Sequence, residues 1–217
     1  MKRRTWYYVM FFVILFVGFY FVITRLIPGY GKITLPVLND VKPFSFIDQR
    51  GDTITNKDVA GKVYVAEYFF TTCKGICPKL NTNLKSVYEK YKNQPGFLIL
   101  SHSVDPVTDS VGRLKIYADS LGVDVHHWIF LTGNKDSLYT AARESYLLDD
   151  PKNNLTPISE QFIHTQFFAL VDKTGNVRKI IDGLKKDELR EMDEAIDQLL
   201  KEDPVRHLSR SPYLNPG

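Results

Sequence analysis

Apolar and polar positions divide this chain into one long apolar run and a series of shorter patterned segments. Residues Thr5 to Thr24 carry no charge, and these 20 residues match the helix length that crosses ~30 Å of hydrocarbon. Downstream, runs of β-branched and aromatic residues alternate with stretches whose apolar residues recur at helical spacing. The pattern therefore predicts one membrane-spanning helix followed by a domain of alternating strands and helices.

The domain's elements are bounded by glycine, proline and polar turns. A short hairpin is predicted to turn at Arg50 and Gly51, and a later one at residues 174–176. Strands are predicted at 63–70, 97–104 and 128–131, and helices from Pro78, over 111–121, over 135–145 and along the stripe Leu189, Met192, Ile196 and Leu199. These elements predict an α/β sandwich with parallel crossovers, an antiparallel edge and hence a central mixed sheet.

Four segments follow from this pattern. Residues 1–25 form the membrane anchor, and residues 26–42, punctuated by proline and glycine, form an extended tether. The folded domain is expected over residues 43–203, followed by a flexible tail over 204–217.

Charged residues beside the apolar run predict its orientation. Lys2, Arg3 and Arg4 precede it and only Arg25 follows closely, so the positive-inside rule places the N-terminus in the cytoplasm. A cleavable signal peptide is the alternative, but the run is long for one and no small-residue cleavage site follows it. We expect a single-pass protein of the cytoplasmic (inner) membrane whose C-terminal domain faces the periplasm or another extracytoplasmic space.

The net charge of the domain differs from that of the whole chain. The chain has 28 basic and 25 acidic residues, but four of the basic residues lie within residues 1–25, which leaves 24 against 25. No run of basic residues interleaved with aromatics remains to follow a phosphate backbone. The sequence therefore predicts the lipid bilayer as a partner of the anchor and no nucleic-acid partner.

Two cysteines, Cys73 and Cys77, are the only ones in the chain, and they lie between a predicted buried strand and a predicted helix. They could be inert buried thiols, a permanent disulfide, a redox pair or soft metal ligands. A disulfide across so short a loop would remove little chain entropy, and strand-to-helix junctions are where ligands usually bind. A helix N-terminus also favours the reactive thiolate. The functional alternatives are therefore favoured.

Further donors can reach the same edge of the sheet. Asp105 follows the strand that ends at Val104, next to the strand before the cysteines. His164 precedes the strand expected near Phe167, so it reaches this edge only if that strand runs antiparallel. The remaining histidines of the domain, His102, His126 and His127, are interpreted as ordinary structural positions.

Two thiolates and one imidazole suit Cu(I), or Cu(II) with a further ligand, and zinc competes for the same donors. A structural zinc site normally has four protein ligands, so this set favours copper or redox chemistry. Spacing alone does not choose among these alternatives.

The motifs resemble those of the SCO/SenC copper chaperones. TTCKGICP, from Thr71 to Pro78, is similar to the C-x3-C-P signature of that family. SVDP, from Ser103 to Pro106, and FIHTQFFALVDKTGNV, from Phe162 to Val177, are similar to two further family segments. The resemblance spans roughly residues 43–200.

The resemblance implies a thioredoxin-like fold in which Cys73, Cys77 and His164 bind copper and Asp105 modulates the site. It implies a metallochaperone that delivers copper to the binuclear centre of cytochrome c oxidase subunit II, reduces the thiols of that subunit, or both. Other copper chaperones and thioredoxin-like reductants would be further partners. The alternative is a metal-free extracytoplasmic thiol-disulfide oxidoreductase that uses Cys73 and Cys77 as catalytic thiols, although thioredoxin-type pairs have C-x-x-C spacing.

Two departures from the family pattern bear on this site. Between the cysteines stand Lys74, Gly75 and Ile76, where many relatives have proline and an acidic residue, and a cation there favours thiolate but opposes a bound metal cation. The segment after Asp105 lacks a later proline common in relatives, so the sequence assigns no role to Asp109.

Overall fold

A long apolar helix, α1 (Arg3–Leu26), begins the computed structural model, which describes residues 3–26, 35–153 and 156–203. Within α1, residues Arg4–Ile23 have a mean hydropathy of 2.2, and none of this stretch is buried in protein. By length and composition this helix could cross a membrane, as an anchor or as a signal sequence. The predicted apolar helix is confirmed.

Eight strands form one mixed sheet in the order β1-β8-β7-β4-β5-β6-β2-β3. The central strands β4, β5 and β6 are parallel, and every other pairing is antiparallel. The strands are β1 (Asn39–Asp40), β2 (Ser45–Asp48), β3 (Thr53–Thr55), β4 (Val63–Phe69), β5 (Phe97–Ser103), β6 (Trp128–Thr132), β7 (Phe167–Val171) and β8 (Asn176–Asp182).

Helices connect these strands and flank the sheet. They are α2 (Asn56–Val59), α3 (Cys77–Tyr91), α4 (Val111–Leu121), α5 (Lys135–Thr140) and α6 (Lys186–Lys201). Pro78 occupies the first turn of α3, where its missing N–H costs no helical hydrogen bond. Gly122 ends α4 with φ +63°, a left-handed conformation that glycine adopts without strain. The α/β sandwich predicted from the sequence is confirmed.

Strand β4 is the centre of the domain, because all seven of its residues are buried. Its side chains alternate between the two faces of the sheet. Tyr64, Ala66 and Tyr68 belong to the apolar cluster that includes Tyr139 and Tyr146. Burial on both faces explains the nearly continuous apolar sequence of this strand.

The sheet begins earlier in the chain than the sequence pattern indicates. Asn39 and Asp40 pair with Val177 and Asn176, so β1 lies within the stretch assigned to the tether (26–42), ahead of the domain start predicted at Pro43. Two polar residues give no alternation to detect, so only the pairing with β8 reveals this strand.

Two other predicted segments differ in detail. The helix predicted over 135–145 is α-helical only to Thr140 and continues as a π-helical turn, Ala141–Ser145. The loop predicted over 147–161 contains a 3₁₀ turn, Ile158–Glu160. The predicted tail, 204–217, lies outside the described residues.

Candidate metal and thiol site

The two cysteines lie where β4 ends and α3 begins. The backbone N–H of Cys73 donates to the Phe70 carbonyl (3.2 Å), which forms the turn that leaves the strand. Cys77 is the first residue of α3 and is only 7% exposed, whereas Cys73 is partly exposed. The junction therefore presents one accessible and one buried thiol.

The two thiols are unpaired cysteines that hydrogen-bond to each other, and their acidities differ. Burial acts to raise the pKa of Cys73, but hydrogen bonds from the Cys77 thiol and from the backbone N–H groups of residues 75–77 outweigh it, so the pKa is lowered. Burial and the neighbouring Cys73 raise the pKa of Cys77 well above its usual value. Cys73 is thus the thiol of the pair that loses its proton more readily.

His164 lies at the same edge of the sheet as the cysteines. Strand β7 runs antiparallel to β4. This is the strand direction that His164 needs in order to reach the edge of the sheet where the cysteines lie. The exposed ring of His164 lies 4.9 Å from the Phe162 ring and 6.3 Å from the Phe70 ring, measured between centroids. Phe70 is in turn the residue whose carbonyl holds the Cys73 backbone.

The three predicted ligands nevertheless do not converge as a group. Across residues 3–26, 35–153 and 156–203, no three His, Cys, Asp or Glu side chains come together closely enough to hold a metal ion. The thiol pair is preformed, and coordination by all three residues requires His164 to approach the sulfur atoms. In donor chemistry, two thiolates and an imidazole still fit a soft metal such as copper.

Asp105 and Asp109 shape the loop after β5. The partly buried Asp105 donates from its backbone N–H to the Ser103 hydroxyl (3.0 Å). The Asp109 carboxylate, which has no exposed surface, accepts from the Thr71 hydroxyl (2.5 Å), the Thr71 N–H (3.2 Å) and the Ser103 hydroxyl (2.6 Å). Asp109 therefore joins the loop before Cys73 to the end of β5, a role that the sequence left unassigned.

Glu67 is a buried carboxyl group that the sequence analysis missed. It is 2% exposed in the middle of β4 and accepts a hydrogen bond from the Ser101 hydroxyl. Burial raises the pKa of Glu67 to about 7, although the hydrogen bond from the Ser101 hydroxyl acts to lower it. Its charge also contributes to the raised pKa of Cys77. A lone charged residue within VYVAEYFF was the signal that could have identified it.

The other three histidines among the described residues belong to structural contacts. His102 is fully buried, stacks 5.0 Å from the Tyr68 ring, and has its pKa lowered to about 4 by burial. Its Nδ1 lies 3.2 Å from the Glu67 carbonyl oxygen, while its Nε2 has no hydrogen-bond partner among the described residues. His126 contacts Arg50 and His127 contacts Asp124, at the amino end of β6.

Comparison with known proteins gives a consistent result. The SCO1/SenC family model matches residues 37–201. The SCO1 protein homolog of Bacillus subtilis is 30% identical over 161 residues, which cover 72% of this chain and 81% of that protein.

Two solved structures share the fold. BsSco, described as a member of the Sco family of cytochrome c oxidase assembly proteins with a disulfide switch, superposes with a TM-score of 0.66 at 26% identity, covering 79% of this chain and all (100%) of that one. Yeast Sco1 with copper bound gives a TM-score of 0.58 at 23% identity, covering 78% of this chain and 97% of that one, which shows the fold alone. The thioredoxin-like fold is therefore confirmed.

Proposed function

The chain belongs to the SCO1/SenC family, and on that premise we propose that it is a membrane-anchored copper-binding assembly factor. Its cargo would be copper, held by the thiolates of Cys73 and Cys77 and the imidazole of His164, with Asp105 nearby as a modulator. The observation that supports this most is the hydrogen-bonded thiol pair at the start of α3, with His164 at the same edge. Copper-bound yeast Sco1 shows that the same fold can bind this metal.

Each residue of the proposed site has a distinct part in ligand exchange. Cys73 loses its proton first and is accessible, so it would take up the metal and meet an incoming acceptor thiolate. Cys77 is shielded from solvent, so its bond to the metal would break later than that of Cys73. His164 is exposed and lies outside the thiol pair, so its bond would form and break with the least rearrangement of the core.

Delivery to cytochrome c oxidase subunit II is part of the proposal. Its support is the family assignment and the description of BsSco as a cytochrome c oxidase assembly protein. A deletion strain should lose oxidase activity and regain part of it with added copper. Unchanged oxidase activity without the gene would overturn this assignment of the acceptor.

The membrane topology is proposed from α1 and its flanking charges. Lys2, Arg3 and Arg4 precede the apolar stretch, so the positive-inside rule places them in the cytoplasm. The domain would then lie in the periplasm or another extracytoplasmic space. Cysteine labelling from outside intact cells would test this, and labelling only after lysis would contradict it.

A second candidate function is metal-free thiol-disulfide exchange, favoured by the opposite pKa shifts of Cys73 and Cys77. The Cys73 thiolate would attack a substrate disulfide, release one substrate thiolate and form a mixed disulfide. Cys77 would then lose its proton, close the Cys73–Cys77 disulfide and release the second substrate thiolate. A thioredoxin-like reductant would supply the two electrons that reset the pair.

Copper counting on the full chain in detergent separates the two functions. Reduced wild-type protein is loaded with Cu(I) or Cu(II), and the bound metal is measured beside His164→Ala and a matched control, His127→Ala, at the opposite edge. We expect about one copper per wild-type chain and weaker binding in His164→Ala alone. Unchanged copper binding in His164→Ala would show that His164 is not a copper ligand. Disulfide reduction by a wild type that binds no copper would favour the oxidoreductase.

A further inference from the structure

One buried hydroxyl connects the end of β5 to the segment before His164. Tyr139, on α5, has no exposed surface. Its hydroxyl donates to the carbonyl oxygens of Val104 (3.0 Å) and Gln161 (3.1 Å) and accepts from the backbone N–H of Ile163 (3.4 Å). Three backbone groups from two distant parts of the chain thus meet at a single oxygen atom.

The two parts of the chain lead to the two halves of the proposed copper site. The Val104 N–H donates to the Phe69 carbonyl (2.9 Å), which fixes the end of β5 to the strand that precedes the cysteines. Ile163 is 4% exposed and is the last buried residue before the exposed His164. The position of the imidazole relative to the thiols therefore depends on where residues 161–163 are held against Val104.

Two cations strengthen this junction from outside. The Lys135 ammonium donates to the Gln161 carbonyl (2.8 Å), and an Arg143 guanidinium N–H donates to the Gln161 side-chain oxygen (2.7 Å). Both cations also lie over the Tyr139 ring, at 5.2 and 5.5 Å from its centroid. Both cations therefore contact the Tyr139 ring as well as Gln161, which helps to hold the Tyr139 hydroxyl in place.

We propose that Tyr139 is a positioning residue for copper binding, which sets the distance of His164 from Cys73 and Cys77 by joining residues 161–163 to the end of β5. This inference rests on the proposed function. Groups that orient a metal ligand without touching the metal commonly govern affinity, because a misplaced ligand must be ordered when the metal binds. Tyr139 acts through the backbone and is not itself a ligand.

The test replaces one hydroxyl while keeping the buried ring. Tyr139→Phe is compared with Tyr68→Phe, which loses an equally buried hydroxyl whose bond to the Leu138 carbonyl (2.8 Å) does not involve residues 161–163. Cu(II) affinity is measured by chelator competition on the full chain, with electron paramagnetic resonance reporting nitrogen coupling to the metal. Hydrogen exchange at the Ile163 amide is followed in the copper-free protein.

We expect Tyr139→Phe to lose about tenfold in Cu(II) affinity and Tyr68→Phe to stay within about twofold of wild type. Tyr139→Phe should also show weaker nitrogen coupling and faster exchange at Ile163. Wild-type affinity and nitrogen coupling in Tyr139→Phe would overturn the inference. An equal loss in Tyr68→Phe would also overturn it, since the effect would then be general destabilisation.

A second variant guards against failure of Tyr139→Phe to fold. Lys135→Gln removes the half-buried ammonium from the Gln161 carbonyl and leaves the core intact, so a smaller loss of the same kind is expected. If only Lys135→Gln folds and it keeps wild-type affinity and Ile163 exchange, the inference fails. If the wild type binds no copper, the proposed function is overturned together with this inference. If the wild type binds copper and the variants bind it equally well, only this inference is overturned.

Discussion

The thiol of Cys73 hydrogen-bonds to the thiol of Cys77 across the loop that leads into α3, and the two pKa values move in opposite directions. The cause is their different surroundings. Cys73 is stabilised as a thiolate by backbone N–H groups and by its partner, while Cys77 is shielded from water. The pair therefore has a defined order of deprotonation before any metal or substrate arrives.

This order predicts selective alkylation. Iodoacetamide should label Cys73 well before Cys77 in the reduced, copper-free protein at neutral pH, because the thiolate is the reacting form. Mass mapping of labelled peptides over a range of pH would measure both rates. In Cys77→Ala, which removes the hydrogen bond to the Cys73 thiolate, the labelling rate of Cys73 should fall. Equal rates for the two cysteines would contradict the prediction.

Burial of Glu67 predicts a pH-dependent stability. Its pKa is raised from the ordinary 4.5 to about 7, so the native state binds more protons than the unfolded state between these values. The free energy of unfolding should therefore fall as pH rises through this interval, by up to about 3 kcal/mol from this group.

Glu67→Gln should remove that contribution. Urea unfolding of the variant and the wild type at about pH 5 and pH 8 measures it as the difference between the two pH dependences. His102, with its pKa lowered to about 4, contributes with the opposite sign in both proteins and cancels in the comparison. Identical pH dependences would show that Glu67 is not a buried proton-binding group.

Asp109 should stabilise the loop that carries Cys73. Asp109→Ala leaves the Thr71 and Ser103 donors without their carboxylate, and we expect a loss of about 3 kcal/mol in unfolding free energy. Chemical denaturation measures the loss. The control is Asp119→Ala, an exposed aspartate on α4 that makes only a surface ion pair with Lys115, where a change within about 0.5 kcal/mol is expected. Similar effects in both variants would contradict this role of Asp109.

Gly183 should not tolerate a methyl group. A Cβ at this position would lie 2.6 Å from the Phe168 ring and 2.7 Å from Leu80, both of which are buried. Gly183→Ala should therefore cost about 1–3 kcal/mol through overpacking.

The matched control for Gly183 is Gly112→Ala, on α4, where a Cβ meets nothing within 4 Å. That substitution should leave stability unchanged or raise it by up to about 1 kcal/mol, because alanine favours helix. Thermal unfolding compares the two variants. A tolerated Gly183→Ala would show that Phe168 and Leu80 can move aside.

Local pattern predicted most of the secondary structure, because helices and strands are specified by neighbours a few residues apart. The thiol pair at the β4–α3 junction followed from the same information, since Cys73 and Cys77 stand directly after a buried strand and before Pro78. Strand β1 was missed for a local reason too, because Asn39 and Asp40 carry no hydrophobic signal and gain their structure only from β8.

The sequence by itself determined which residues are available as donors and in what order the elements occur. Only the tertiary structure decided that Asp109 meets Thr71, that Tyr139 joins Val104 to Gln161, and that His164 stands at the cysteine edge but outside the thiol pair. The hydrogen bonds of Asp109 and Tyr139 join residues 22 to 38 positions apart, and the ring contact between Phe70 and His164 joins residues 94 positions apart. Contacts between residues so far apart in the chain produce no periodic pattern in the sequence, because they depend on how whole strands and helices pack.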